Sequence, residues 1–201
     1  MPTNICIRSK QYMLTNITSL SLPDIYRAQH VKRWHIIHTS RQQTVAEHSH
    51  MVAMISLHIV AAIGEEHFDD KDKLDILQWS LIHDLPEVII GDAVSPVKRM
   101  AKEKFDELEK QVDPKLKKYE ISISGDIKAV VKIADYIDAL KYLKKEGLNG
   151  QAVSIYNRLY KDMKQYIETV KGIWSGCAWD AVYGVLVRLI EDPETYIDDI
   201  I

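Results

Sequence analysis

The sequence predicts an all-α fold, a single helical bundle. Three observations carry that expectation. Apolar residues recur three and four positions apart in several long stretches. No alternating apolar and polar run is convincing as a strand. Chain punctuation is sparse, with 8 Gly and 6 Pro in 201 residues. The length suits one domain and is enough to bury a sizeable core without disulfide or metal staples. With 46% hydrophobic and 27% charged residues, the chain is excluded from the disordered, collagenous and disulfide-scaffold classes.

Taken in order, residues 1–22 are rich in Ser, Thr and Asn and read as an extension. Residues 23–201 read as the domain, with no internal boundary or repeat. A short helix is expected over 23–31. The clearest helix spans 44–63. Thr44-Val-Ala-Glu47 is a capping box in which Thr44 and Glu47 satisfy each other's backbone N–H. Gly64 supplies a left-handed stop. His48, Met51, Val52, Ile55, Ile59 and Ala62 share one face, so His48 lies on its first turn. The next helix covers 71–84, with Leu74, Leu77, Leu81 and Ile82 inward. It stops because Pro86 restricts Leu85. Residues 98–111 read as a charged amphipathic helix, broken by Asp113-Pro114. A helix over 126–146 takes Asp126 as N-cap and Gly147 as stop. Helices over 151–170 and 177–191 follow, before an acidic tail.

Composition limits partners. There are 26 Lys+Arg against 29 Asp+Glu, a net charge of −3. A general phosphate-backbone binder is normally basic, so no nucleic-acid partner is expected. The N-terminus has no apolar signal-peptide region, and no stretch approaches ~18 uninterrupted apolar residues, so no membrane is expected. Cys6 and Cys177 show no CxxC spacing and read as free thiols of a cytoplasmic protein.

The chemistry sits in three features. His48 lies on a buried helical face. His83-Asp84 closes an apolar helix. Asp135 interrupts the apolar run 130–140, where a lone carboxylate is costly unless paired or metal-bound. Asp138, one turn on from Asp135, points toward the same region. Each piece is common by chance. The order H…HD…D, with every member on a predicted buried helix, is not. Two imidazoles and two carboxylates suit one divalent transition metal (Co, Mn, Zn, Ni or Fe, with Mg possible) and leave room for water and a phosphate oxygen. His50 is two residues from His48 and faces another side of the helix, so a second ion is not expected.

With these residues on the page, the sequence resembles the HD-domain metal-dependent phosphohydrolases. Four blocks are similar to the bacterial YfbR-type 5′-deoxynucleotidases and, more closely, to the bacteriophage dATP triphosphohydrolases (DatZ). They are Lys32-Arg33-Trp34, Val45-Ala-Glu-His-Ser49, the run His83–Lys98 (HDLPEVIIGDAVSPVK), and Lys132-Ile-Ala-Asp135. The resemblance implies that His48, His83, Asp84 and Asp135 are metal ligands, with Asp84 and Glu87 catalytic. Glu87 would orient or deprotonate the attacking water. Arg33 matches a phosphate-binding arginine, whose planar fork suits phosphate oxygens. Trp34 matches a residue that packs on the sugar and excludes a 2′-hydroxyl. Asp92 matches a residue near a sugar hydroxyl or the water network, and Lys98 and Lys132 match lysines that meet the phosphates.

The implied reaction is hydrolysis of a deoxynucleotide at its 5′-phosphoester. The favoured form takes dATP to deoxyadenosine plus triphosphate, depleting dATP in a phage that uses 2-aminoadenine. The alternative is a 5′-deoxynucleotidase acting on monophosphates. His35–Gln43 departs from the bacterial pattern and would border the base pocket, and the preceding Tyr26–Val31 with Arg33-Trp34-His35 looks more like the phage enzymes. The resemblance also implies a homo-oligomer, with 151–191 as candidate interface.

Overall fold

The structure is a computed structural model that describes residues 21–64, 66–93, 95–107, 123–174 and 176–191. Most of the expected extension (1–20), the end of the charged helix, the Asp113-Pro114 break and the acidic tail lie outside the described residues. Among the described residues the regular structure is helical. The helices are α1 (Leu22–Tyr26), α2 (Val45–Ile63), α3 (Asp70–Ile82), α4 (Glu87–Ile90), α5 (Ser95–Met100), α6 (Gly125–Glu146), α7 (Gly150–Val170) and α8 (Gly176–Glu191), with a 3-10 turn at Arg27–Gln29. Residues 102–107 are also helical.

Helix α2 is the hub, packed against α3, α6 and α8, while α6 also packs on α7. Its start is the expected capping box: the Thr44 hydroxyl accepts from the Glu47 N–H at 3.1 Å, and Glu47 accepts from the Thr44 N–H at 2.7 Å. Gly64 ends it at φ 110° and ψ 155°. That positive φ needs glycine, but ψ is extended rather than left-handed helical. Val52 and Ile59 are fully buried, whereas Met51 is 43% exposed. By length and composition α2 could cross a membrane; here half of it is buried in the helical core.

Helix α6 buries Ile127, Val130, Ile133, Ile137 and Leu140 at helical spacing. Each such side chain contributes about 1.5–3 kcal/mol relative to exposure. Its N-cap is Ser124, whose hydroxyl accepts from the Ile127 N–H at 3.2 Å, and not Asp126, which lies in the first turn. Gly147 ends the helix for a steric reason. A Cβ there would lie 2.5 Å from the Leu143 carbonyl oxygen and 2.6 Å from the Ala152 side chain.

The inward face of α3 differs from the expected one. Leu74 and Leu81 are about half exposed, and the buried residues are Asp75, Ile76, Ser80 and Ile82. Ile76, Ser80 and His83 form one stripe at i, i+4, i+7, so turning His83 inward turns Leu74 and Leu81 outward. Buried polar groups on this face are satisfied: Lys71 pairs with Asp75, and the Ser80 hydroxyl donates to the Ser56 hydroxyl at 3.2 Å. The helix ends at Ile82, and Pro86 immediately precedes the short α4.

Candidate metal and phosphate site

The site lies where α2, the α3–α4 turn and α6 meet, under a loop formed by residues 31–44. The loop is closed at its base by an antiparallel bridge between Lys32 and Thr44. Val45 N–H donates to Val31 O at 3.0 Å, and Arg33 N–H donates to Gln43 O at 2.8 Å. The loop is pinned farther out by a second bridge, Thr39 to Gly147. Trp34 sits at φ 61°, a left-handed conformation unusual for a bulky side chain. Its ring stacks on Tyr142, with centroids 5.8 Å apart and planes 12° off parallel.

His48, His83 and Asp84 converge: one ligand atom from each lies within 4.8 Å of the others. Asp135 adjoins this group rather than sharing its tight spacing, with Oδ1 3.3 Å from His48 Nε2. Asp84 Oδ2 is also 3.3 Å from His48 Nε2. The far side of each ring is fixed. His48 Nδ1 donates to Asp138 Oδ2 at 2.6 Å, and His83 Nδ1 donates to the Ser80 carbonyl at 2.9 Å. A carbonyl only accepts, so His83 carries a proton on Nδ1 and turns its Nε2 inward. Both Nε2 atoms are buried without a hydrogen bond. Buried polar atoms are rarely left so, and two orphaned imidazole nitrogens facing carboxylates fit a divalent metal.

Electrostatics point the same way. Burial and the Arg33 charge oppose protonation of His48, but Asp135, Asp138 and Asp84 outweigh them and push its pKa up to about 10. The carboxylates thus demand a positive charge at this spot, from a proton or a metal. Burial raises Asp84, yet His83, His48 and Arg33 hold it well below the usual carboxylate range. Asp135 is also held low, by Lys132, His48 and His83 against burial.

A cleft of about 490 Å³ opens beside these residues. It is lined by Arg33, Trp34, Asp84, Glu87, Asp92, Lys98, Lys132 and Asp135, so every expected site residue except the two deeper histidines faces it. Arg33 Nη1 donates to Asp84 Oδ2 at 2.6 Å and lies 3.9 Å from Glu87 Oε2. Lys98 Nζ donates to Glu87 Oε1 at 2.9 Å, and Lys132 Nζ to Asp135 Oδ2 at 2.6 Å. Glu87 is only 5% exposed, and its Oε2 has no hydrogen bond. Burial pushes its carboxyl up to about 7, with Asp84 adding and Arg33 and Lys98 opposing. Asp92 adds negative potential at Arg33, Glu87 and Lys98.

Some contributors went unassigned in the sequence. Asp138 carried a signal, one turn beyond Asp135, but no role. Gln43 carried none; it donates to Asp138 Oδ2 at 2.8 Å and accepts from the Trp34 indole at 2.9 Å. Arg158, Gln151 and Ser154 bring α7 to the cleft, which periodicity could not reveal.

Comparison with known proteins agrees with this geometry. A family profile described as "5'-deoxynucleotidase YfbR-like" matches residues 22–173. The dATP triphosphohydrolase of Acinetobacter phage SH-Ab 15497 is 29% identical over 198 residues, covering 90% of this chain and 97% of that protein. The 5'-deoxynucleotidase YfbR of Escherichia coli O127:H6 is 35% identical over 95 residues, covering 45% of this chain and 47% of that protein. A solved structure of the Cyanophage S-2L HD phosphohydrolase (DatZ), bound to dA and one catalytic Zn2+ ion, superposes with a TM-score of 0.75. It is 26% identical, covering 86% of this chain and 97% of that one.

Proposed function

The chain belongs to the 5′-deoxynucleotidase YfbR-like family, and from that premise we propose that it hydrolyses deoxynucleotides at the 5′-phosphoester, with dATP giving deoxyadenosine and triphosphate. The observation that carries the reading is the pair of orphaned imidazole nitrogens beside Asp84 and Asp135, with the buried Glu87 Oε2, which has no hydrogen bond, on the neighbouring turn. The choice of dATP is supported by similarity to a phage dATP triphosphohydrolase along 90% of the chain. It is also supported by cleft charge. Arg33, Lys98, Lys132 and Arg158 balance Asp84, Glu87, Asp92 and Asp135, so a bound divalent cation tips the cleft positive, toward a polyphosphate.

His48, His83, Asp84 and Asp135 would hold the ion, which supplies Lewis acidity toward a phosphoryl oxygen and acidifies water. The rest of the reaction falls to the chain itself. Glu87 Oε2 accepts the proton of a water attacking the α-phosphorus. The bond from phosphorus to the 5′-oxygen breaks, and the departing oxygen takes a proton from solvent. Arg33, Lys98 and Lys132 neutralise charge that builds on the phosphates. In binding phosphate, Arg33 exchanges part of its contact with Asp84 for the substrate. Trp34 walls the sugar, with Asp92 near its hydroxyls, and Ile36 and Ile37 border the base. A cytoplasmic location, where deoxynucleotides are pooled, goes with this reading. We also propose a homo-oligomer, which light scattering tests.

A substrate panel decides between the two reactions. Metal-loaded protein is incubated with dATP, dAMP, the other deoxynucleotides and ATP, and the products are separated. Deoxyadenosine plus intact triphosphate from dATP is expected. Phosphate released from several monophosphates, with dATP untouched, makes it a 5′-deoxynucleotidase. No turnover on any of them overturns the reading.

A further inference from the structure

One buried amide connects two parts of the site that the reaction uses separately. Gln43 is 2% exposed. Its Oε1 accepts from the Trp34 indole N–H at 2.9 Å, and its Nε2 donates to Asp138 Oδ2 at 2.8 Å. The same Asp138 oxygen holds His48 Nδ1 at 2.6 Å. The amide cannot be reversed. An indole N–H only donates and a carboxylate only accepts, so oxygen must face Trp34 and nitrogen must face Asp138. The backbone grips the same pair, since Gln43 O accepts from Arg33 N–H at 2.8 Å. Trp34 lines the substrate cleft. His48, at the other end, is fully buried. An unbroken row of hydrogen bonds therefore runs from the cleft wall to the face of His48 opposite its free nitrogen.

We propose that Gln43 is a positioning residue that couples the sugar wall to the metal-holding histidine. This rests on the reading of Trp34 as the wall that a 2′-hydroxyl meets. A ribonucleotide that displaces Trp34 pulls on Gln43, loosens Asp138 and turns His48. Sugar discrimination is then written into turnover as well as binding. A gate made only of a steric wall would act chiefly on binding. Outer partners of a metal-bound histidine set its tautomer and orientation, and losing one typically costs 10–100-fold in metal affinity.

The test uses the full-length Zn2+-loaded protein and the variants Gln43→Leu, Gln43→Glu and Trp34→Ala. Zn2+ affinity is measured by chelator competition, and kcat and KM are measured for dATP and ATP. Gln43→Leu removes both bonds. It is expected to weaken Zn2+ binding about tenfold and to shrink the kcat part of the dATP-over-ATP preference. Gln43→Glu keeps an acceptor for the indole but sets a carboxylate against Asp138. It is expected to weaken Zn2+ binding and to shrink the kcat part of the dATP-over-ATP preference while retaining the KM part, a split that a merely structural role does not produce. Zn2+ affinity within twofold of the parent in Gln43→Leu overturns the proposal, as does an unchanged kcat ratio. Should Gln43→Leu fail to fold, Gln43→Glu decides on the same Zn2+ criterion. An unchanged dATP-to-ATP ratio in Trp34→Ala overturns the sugar reading of Trp34 instead. Absent turnover overturns the proposed reaction, while the chelator measurement still reads the coupling.

Discussion

The two sides of the cleft are built differently. The α2–α6 side is deep and over-determined. His48 is fully buried and faces Asp84, Asp135 and Asp138, and α6 itself is anchored by Ile133, Ile137 and Leu140, each fully buried. The α4–α5 side is short and lightly held. Glu87 and Lys98 come from helices of 4 and 6 residues, and one Glu87 oxygen has no hydrogen bond. The difference fits the two tasks proposed for these residues. A ligand set must stay in one geometry, which rigid helices supply. A group that accepts a proton needs an open lone pair and a poised pKa, which a buried, under-satisfied carboxylate supplies.

The strongest break of this contrast is Asp84→Asn. It removes the charge facing His48, His83 and Arg33. Metal affinity should fall beyond the roughly 100-fold typical of outer-shell changes, and activity should go with it; a variant that still titrates metal like the parent refutes the ligand assignment. Glu87→Gln comes next, with a turnover loss of about 10²–10⁴ and unaltered metal affinity by chelator competition. Parallel losses in both would move Glu87 to the ligand side. A smaller effect is the acid limb. Proton acceptance requires the Glu87 carboxylate, whose pKa is pushed up to about 7, so kcat should decline as pH falls through that region. The residual rate of Glu87→Gln should lack that limb, and a persisting one would assign it to another group. Thr44→Ala is the mildest. Losing the cap of α2 should cost about 1 kcal/mol, read as a lower Tm, and an unchanged Tm would show the buried side does not depend on its cap.

Legibility in the sequence followed the same divide. Helix α2 was readable because its cap is a local chemical pattern and its apolar face is long. The proposed metal ligand His48 came with it, since His48 shares that face. Asp135 was readable as a carboxylate in an apolar run. The face of α3 was not, because leucine counting ignores the demand that His83 point inward. Asp75 and Ser80 are buried on that face only because Lys71 and Ser56 satisfy them, and pairings of that kind leave no periodic trace. Gln43 was invisible for a related reason: its partners are 9 and 95 residues away. Ser124 displaced Asp126 as the cap of α6 by two positions, the kind of boundary shift that local propensity tolerates.

The loop that begins at Arg33 hangs between two anchors, the Lys32–Thr44 bridge at its base and the Thr39–Gly147 bridge beyond. Ile36 and Ile37 lie between those anchors and face the cleft. On the proposed reading, these residues can change without disturbing the anchors that keep Arg33 and Gln43 in register. The helices would then carry the reaction, and the short span between the anchors would be where base preference is adjusted.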